Sequence, residues 1–317
     1  MAFIKYPSIE NSYQHAFVDK VSREAPEGTI WIVQEKLHGA NFSVTYDADI
    51  GKVSFNKRTG LIGEKEKFYN CQELYPELTA KITELAEHLK DKFTDGLIVC
   101  GELIGGRYPG QSKPNQKCIQ KGVDYCEGVV FAAFDVCIDG KFMTATTAKT
   151  WLILSGFHVV PEIGIYNTLE EALAVPYAFK SKMPDMLGMP DHPGPNICEG
   201  VVVRPRETFY LSSGSRAILK QKTDAHKEIS KTPRAKKDNS TTYPFVSDYV
   251  NSARFANVRS KLSEDANIGE IGKEMAEDVF EDYIKDHPTE ENAQIKEIRK
   301  QISREVFPFV RVEIRKV

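Results

Sequence analysis

The residues able to do chemistry lie inside or at the ends of apolar segments, where an unpaired charge costs several kcal/mol. Lys36 follows Ile30-Trp31-Ile32-Val33 and opens the stretch Lys36-Leu37-His38-Gly39-Ala40-Asn41, which runs into Phe42-Ser43-Val44-Thr45-Tyr46. Lys57 and Arg58 close a third segment, Glu102 interrupts Leu97–Ile104, and Asp135 interrupts Val129–Ile138. Glu199 precedes Val201-Val202-Val203, and Lys220 and Lys222 follow Ala217-Ile218-Leu219. Each charge alone fits a solvated strand edge. Repetition through six apolar segments points instead to a cleft lined with carboxylates and cations, the donor set for phosphate groups and a hard divalent ion.

These segments read as strands, rich in β-branched and aromatic residues and bounded by Gly, Asp and Asn. The pattern predicts strands over 30–36, 41–47, 52–57, 97–104, 129–138, 156–163, 199–205 and 217–222, and helices near 11–22, 71–92, 145–154 and 168–187. Side chains alternate along a strand, so Lys220 and Lys222 should share a face with Ile218. Likewise Lys36 should share a face with Gln34 while Glu35 points away, and Glu199 should share one with Val201 and Val203. After residue 242 the apolar residues recur at helical spacing, from Phe245 through Met275, Val279 and Ile302 to Val306, which predicts four or five helices.

Length and charge set the frame. The 317 residues suit one large domain or one large plus one small, with a net charge of only −3. Residues 220–237 carry seven basic residues, Lys220, Lys222, Lys227, Lys231, Arg234, Lys236 and Lys237, against Asp224 and Glu228. That segment fits either a polyanion track or a solvated linker. Six cysteines without a CxxC pair argue for reduced thiols in a cytoplasm-like compartment, although Cys118 and Cys126 with a distant histidine could hold a metal. No apolar run is long enough to span a membrane, and the first residues do not form a secretory signal.

Lys36-Leu37-His38-Gly39-Ala40-Asn41 resembles the KxxGxN nucleophile motif of the covalent nucleotidyltransferases, which include DNA ligases, RNA ligases and capping enzymes. Gly101-Glu102-Leu103-Ile104-Gly105-Gly106, Phe134-Asp135-Val136, Glu199-Gly200-Val201-Val202 and Leu219-Lys220-Gln221-Lys222 resemble the remaining motifs, in order. Glu35, His38, Lys57-Arg58-Thr59-Gly60, Gln120–Cys126 and Ile268-Gly269-Glu270-Ile271-Gly272 are similar to the RNA ligase 2 family, which includes phage and kinetoplastid editing ligases. Two departures stand out. Arg204 sits where the family often has lysine, and the loop 105–117 is longer than in the phage type.

The resemblance implies an α+β fold. Residues 1–226 would form a nucleotidyltransferase domain of ATP-grasp-like antiparallel sheets with flanking helices, 227–242 a basic linker, and 243–317 a small all-α domain for RNA end joining. It implies ATP-dependent joining of RNA 3′-OH and 5′-phosphate ends, with AMP carried covalently on Lys36 and Mg2+ (or Mn2+) as cofactor. The expected partner is nicked duplex RNA, met by a monomer. By position, Glu35 would contact the adenine through its backbone and Phe134 would stack on it. Arg58 and Glu102 would hold the ribose, Asn41 the nucleotide or RNA end, and His38 the departing pyrophosphate. Glu199 and Asp135 would bind metal, Lys220 and Lys222 the α-phosphate, and Lys57, Arg204 and Arg216 further phosphates. An ordinary lysine titrates near ~10.4, so presenting a neutral amine near neutral pH costs about 4 kcal/mol. Lys220, Lys222 and a metal are the expected source of that bias. A DNA ligase shares the core motifs but usually carries a β-barrel next. A guanylyltransferase would take GTP, and a non-catalytic RNA-binding module would use only the basic segment.

Overall fold

A computed structural model describes residues 3–111, 116–227, 243, 245–289 and 291–316. The chain divides into two compact units, Met1–Thr223 and Asp224–Val317. The expected linker over 227–242 lies, apart from Lys227, outside the described residues.

Unit one is built on two sheets. In chain order its strands are β1 (Glu10–Asn11), β2 (Trp31–Lys36), β3 (Ala40–Asp47), β4 (Lys52–Lys57), β5 (Gly60–Leu61), β6 (Gly96–Arg107), β7 (Cys126–Ile138), β8 (Lys141–Phe142), β9 (His158–Val159), β10 (Glu162–Tyr166), β11 (Gly200–Pro205) and β12 (Leu219–Lys222). The first sheet runs β1-β12-β11-β2-β10. The second runs β5-β4-β3-β6-β7-β8, with β9 pairing β7 in parallel. Helices cover one face of each. On the first sheet, Trp31, Val33, Val201, Val203 and Leu219 pack with Val21 of α1 (His15–Glu24) and with Leu169 and Ala172 of α4 (Leu169–Leu173). On the second, Phe42, Val44, Leu97, Val99, Leu103 and Phe131 pack with α2 (Tyr75–His88) and α3 (Ala145–Leu154). Leu78, Ile82 and Leu85 supply the buried stripe of α2, and burying each such side chain contributes roughly 1.5–3 kcal/mol. Strand alternation then puts the polar site residues on the opposite faces, where two smaller apolar clusters around Ile104 and Ile98 also lie.

Two segments depart from the sequence-based expectation, each at a proline. The strand expected over 156–163 is two short strands, and β9 and β10 belong to different sheets. Pro161 lies between them, with no N–H to donate to a ladder. The helix expected over 168–187 is only α4 and a short α5 (Met183–Met186). Pro176 stops the first, and Val175, Tyr177 and Phe179 alternate against the first sheet's core instead.

Unit two contains, among the described residues, α6 (Ser252–Ser260), α7 (Ile268–Asp286), α8 (Asn292–Ile314) and a 3-10 turn at Val246–Tyr249. That is fewer α-helices than the spacing suggested. Ile271, Met275, Val279 and Tyr283 on α7 meet Ile298, Ile302, Val306 and Val310 on α8, both sets at i, i+4 spacing. Asn267 caps α7 in a capping box with Glu270, which satisfies its first free N–H groups. Arg254 of α6 is fully buried and pairs with Asp278 and Asp282 of α7. No described helix is long and apolar enough to cross a membrane.

Candidate active site

Register brings the lysines together. Lys36 of β2 lies opposite Gly200 of β11, which lies opposite Lys222 of β12. One row along, Gln34, Val202 and Lys220 align in the same way. All six positions share one strand parity, opposite to the core residues Val33, Val201 and Leu219. Lys36, Lys220 and Lys222 therefore project from the face turned away from the helices, as the alternation predicted.

Glu199 does not follow its predicted parity. Its Oε2 lies 2.8 Å from Lys36 Nζ and its Oε1 2.9 Å from Lys222 Nζ, while Val201 and Val203 are buried on the far side. Gly200 breaks the alternation. Its φ of +154° is outside the ordinary range of other residues, and a Cβ there would sit 1.9 Å from the Gln221 carbonyl oxygen. The carboxylate thus swings into the lysine row, and His38 Nδ1 approaches the same Oε2 at 3.5 Å. Burial pushes the Glu199 carboxyl up, but Lys222 and Lys36 outweigh this and hold it well below the usual range.

The second sheet supplies the facing wall. Asn41 of β3 is in register with Glu102 of β6, which is in register with Ala132 of β7. Gly39 permits the approach of the motif to β6, since a Cβ there would lie 2.0 Å from the Leu103 carbonyl oxygen. Glu102 is pushed up to about 7, chiefly by burial and further by the Glu199 charge, with Lys36 opposing. In β7 the pairing jumps from Cys100–Asp135 to Gly101–Ala133, so Phe134 is an extra residue in a bulge. It is half-buried and packs edge-on against Tyr6 at 5.0 Å.

Four residues expected on metal or phosphate are engaged by other side chains. Asp135, expected to bind metal, is fully buried and engaged by Arg204 at 3.1 Å, Arg216 at 2.6 Å and the Tyr6 hydroxyl at 2.9 Å. Burial raises its carboxyl, but Arg204 and Arg216 bring it below the usual value. Arg204 and Arg216, expected on phosphates, are spent on this acid, and Arg204 also donates to the Phe134 carbonyl oxygen. Lys57 shares the strand face of Val53 and Phe55, which pack on the helix-covered core, and pairs with Glu66. Arg58, just past the strand, donates to the Tyr6 carbonyl oxygen.

Glu35 points away from Lys36, as expected, but its side chain is not idle. It is buried and accepts from the Ser181 hydroxyl at 2.5 Å and the Lys182 N–H at 2.8 Å, tying β2 to the start of α5. Burial pushes it up to about 7, against these hydrogen bonds.

Sequence reasoning gave no role to Tyr6 or to Tyr125. Tyr6 bonds Asp135, packs edge-on against Phe134 and accepts from Arg58 through its backbone carbonyl. Tyr125 is buried, and its hydroxyl oxygen accepts the His38 N–H at 2.7 Å. Beside it, the Gln120 amide donates to the Gly39 carbonyl oxygen at 3.3 Å. The segment 120–126 therefore holds the turn carrying His38 by its backbone. A buried tyrosine in an apolar stretch looks like core, and no local pattern reveals what its hydroxyl meets.

The RNA ligase family profile matches residues 29–222, and a T4 RNA ligase 2 C-terminal profile matches residues 233–308. The chain belongs to the RNA ligase family. Among curated relatives, the mitochondrial RNA-editing ligase 1 of Trypanosoma brucei brucei is 29% identical over 212 residues, covering 55% of this chain and 44% of that protein. RNA-editing ligase 2 of the same organism is 27% identical over 264 residues, covering 74% of this chain and 62% of that protein. The chain thus spans about half the length of the curated relatives it matches. A solved structure of a Naegleria gruberi RNA ligase with PPi is similar at 16% identity and a TM-score of 0.48, over 71% of this chain and 57% of that one.

Proposed function

We propose that the chain is an ATP-dependent RNA ligase that joins a 3′-hydroxyl to a 5′-phosphate through AMP carried on Lys36. The observation that carries this reading is the Glu199 carboxylate lying between Lys36 and Lys222 on the face of the first sheet turned away from its helices. In the first step the Lys36 amine attacks the α-phosphorus of ATP. A P–N bond forms, the P–O bond to pyrophosphate breaks, and the ammonium proton is lost to water. In the second, an RNA 5′-phosphate oxygen displaces the lysine, which regains a proton. In the third, the 3′-hydroxyl attacks that phosphate, AMP leaves, and a phosphodiester remains.

Attack needs the amine, so Lys36 must leave its ion pair. The neighbouring lysines were expected to favour the neutral amine, yet the charge in contact with Lys36 is the Glu199 carboxylate. Glu199 suits a hard cation: it is an oxygen donor, ionised, and at the cleft. Mg2+ or Mn2+ bound there would neutralise this carboxylate and the phosphate charge. Lys222 and Lys220 are assigned to the α-phosphate, His38 to the pyrophosphate side, Phe134 to the adenine face, and Glu102 and Arg58 to the ribose. Asn41, in register with Glu102, serves the nucleotide or the RNA end.

We assign nucleotide chemistry to residues 1–226 and RNA-end engagement to 243–317, in a monomer acting on nicked duplex RNA in a reducing compartment. The test is sealing of 5′-phosphorylated nicked duplex RNA, single-stranded RNA and an RNA/DNA hybrid by the same protein. The nicked duplex should be sealed fastest. Sealing of a nicked DNA duplex assayed alongside, with none of the RNA substrates sealed, would overturn the RNA assignment.

A further inference from the structure

The two long helices of unit two carry opposite charge. On α7, seven carboxylates stand against two lysines. On α8, Lys296, Lys300 and Arg304, then Arg311 and the following Arg315, are all exposed. At about 100° per residue these five fall within a sector of about 100°, on the side opposite the buried line Ile298, Ile302, Val306 and Val310. From residue 296 to 315 the row runs about 28 Å at 1.5 Å per residue. Within it the one acid is Glu297, 3.7 Å from Lys300. Lys296, Arg304, Arg311 and Arg315 pair with no carboxylate among the described residues. Arg299, by contrast, turns aside to Glu277 of α7 and stacks on Phe280.

A row of five cations with a single acid is not a helix stabilised by its own ion pairs, because like charges four apart oppose the fold slightly. Nor does it serve the core, since it lies on the opposite side from the buried line. Four of the five residues from 296 to 315 are free to meet an external polyanion, while the acidic α7 repels the same partner. We propose that the exposed stripe of α8 is a docking track for the sugar–phosphate backbone of duplex RNA. It contacts phosphates and carries no base specificity. This rests on the RNA ligase reading above and adds to it the residues of the small unit that hold the duplex.

The test is R304E/R311E in the full chain. Three measurements are made: the adduct with ATP alone, the Kd for nicked duplex RNA, and its dependence on salt. The adduct should form at the normal rate. Kd should rise about tenfold or more near physiological salt, and the slope of log K against log salt should fall by about two. A charge-matched variant in unit one, K90E/K92E, should leave Kd unchanged, and circular dichroism with a melting curve confirms that R304E/R311E is folded. If the folded variant binds and seals naked nicked RNA with normal Kd and salt slope, the stripe serves another partner and the inference is overturned. If no adduct forms even in the unaltered protein, the ligase reading itself has failed.

Discussion

Two acids of unit one each sit between two cations, and the contrast between them explains most of the site. Asp135 is fully buried between Arg204 and Arg216, whose side chains are 2% and 3% exposed, and the Tyr6 hydroxyl completes its shell. Glu199 sits between Lys36 and Lys222, but Lys36 keeps 19% of its side chain open to the cleft. The guanidinium pair is rigid and closed, as planar fork donors favour. The ammonium pair is single-pronged and can let go. One cluster braces β7 against β11, and the other, in the proposed reaction, would open to admit the nucleotide.

The comparison predicts two kinds of damage. Asp135→Ala leaves two buried guanidinium groups without their acid, and should cost about 3–5 kcal/mol in a denaturant melt. Glu199→Ala should lose sealing almost completely, with a smaller loss of stability, because only one of its two cations, Lys222, is buried while Lys36 can reach water. If the two variants destabilise equally, the division between brace and working site is wrong. A smaller effect is expected for Tyr125→Phe. It removes the acceptor of the His38 N–H, and should slow adduct formation about tenfold, since an unmade hydrogen bond of this kind costs about 1–3 kcal/mol. Unchanged rates would reduce Tyr125 to packing.

The carboxylates without a paired cation sharpen the same point. Glu102 and Glu35 are pushed up to about 7 by burial, whereas Glu199 and Asp135 are held down. A folded-state value above the unfolded one means the native protein keeps its proton while the unfolded chain loses it. Stability from this source is therefore full below the ordinary glutamate range and falls as pH rises toward about 7, then levels. Glu102→Gln should flatten that decline in melting temperature between pH 4.5 and 7. An unaltered pH profile would contradict the assignment.

Much of this was legible in the sequence because strand period and motif order agree. Lys36, Lys220 and Lys222 share a face for no reason beyond even spacing, and the register does the rest. What stayed hidden depended on contacts across the chain. Asp135 looked like a metal ligand because nothing local shows that Arg204, Arg216 and Tyr6 converge on it from positions 69, 81 and 129 residues away. The swing of Glu199 was encoded in Gly200, but a glycine in a valine-rich strand does not announce which side chain it redirects. Pro161 and Pro176 were visible breakers, and the helix and strand drawn across them ignored their missing N–H groups.

The central claim is that Lys36 carries AMP. Intact-protein mass spectrometry after incubation with ATP and Mg2+, without RNA, tests it directly. The unaltered chain should gain the mass of one AMP, and Lys36→Ala should gain none while keeping its fold and melting temperature. An AMP adduct that persists in Lys36→Ala would contradict the account.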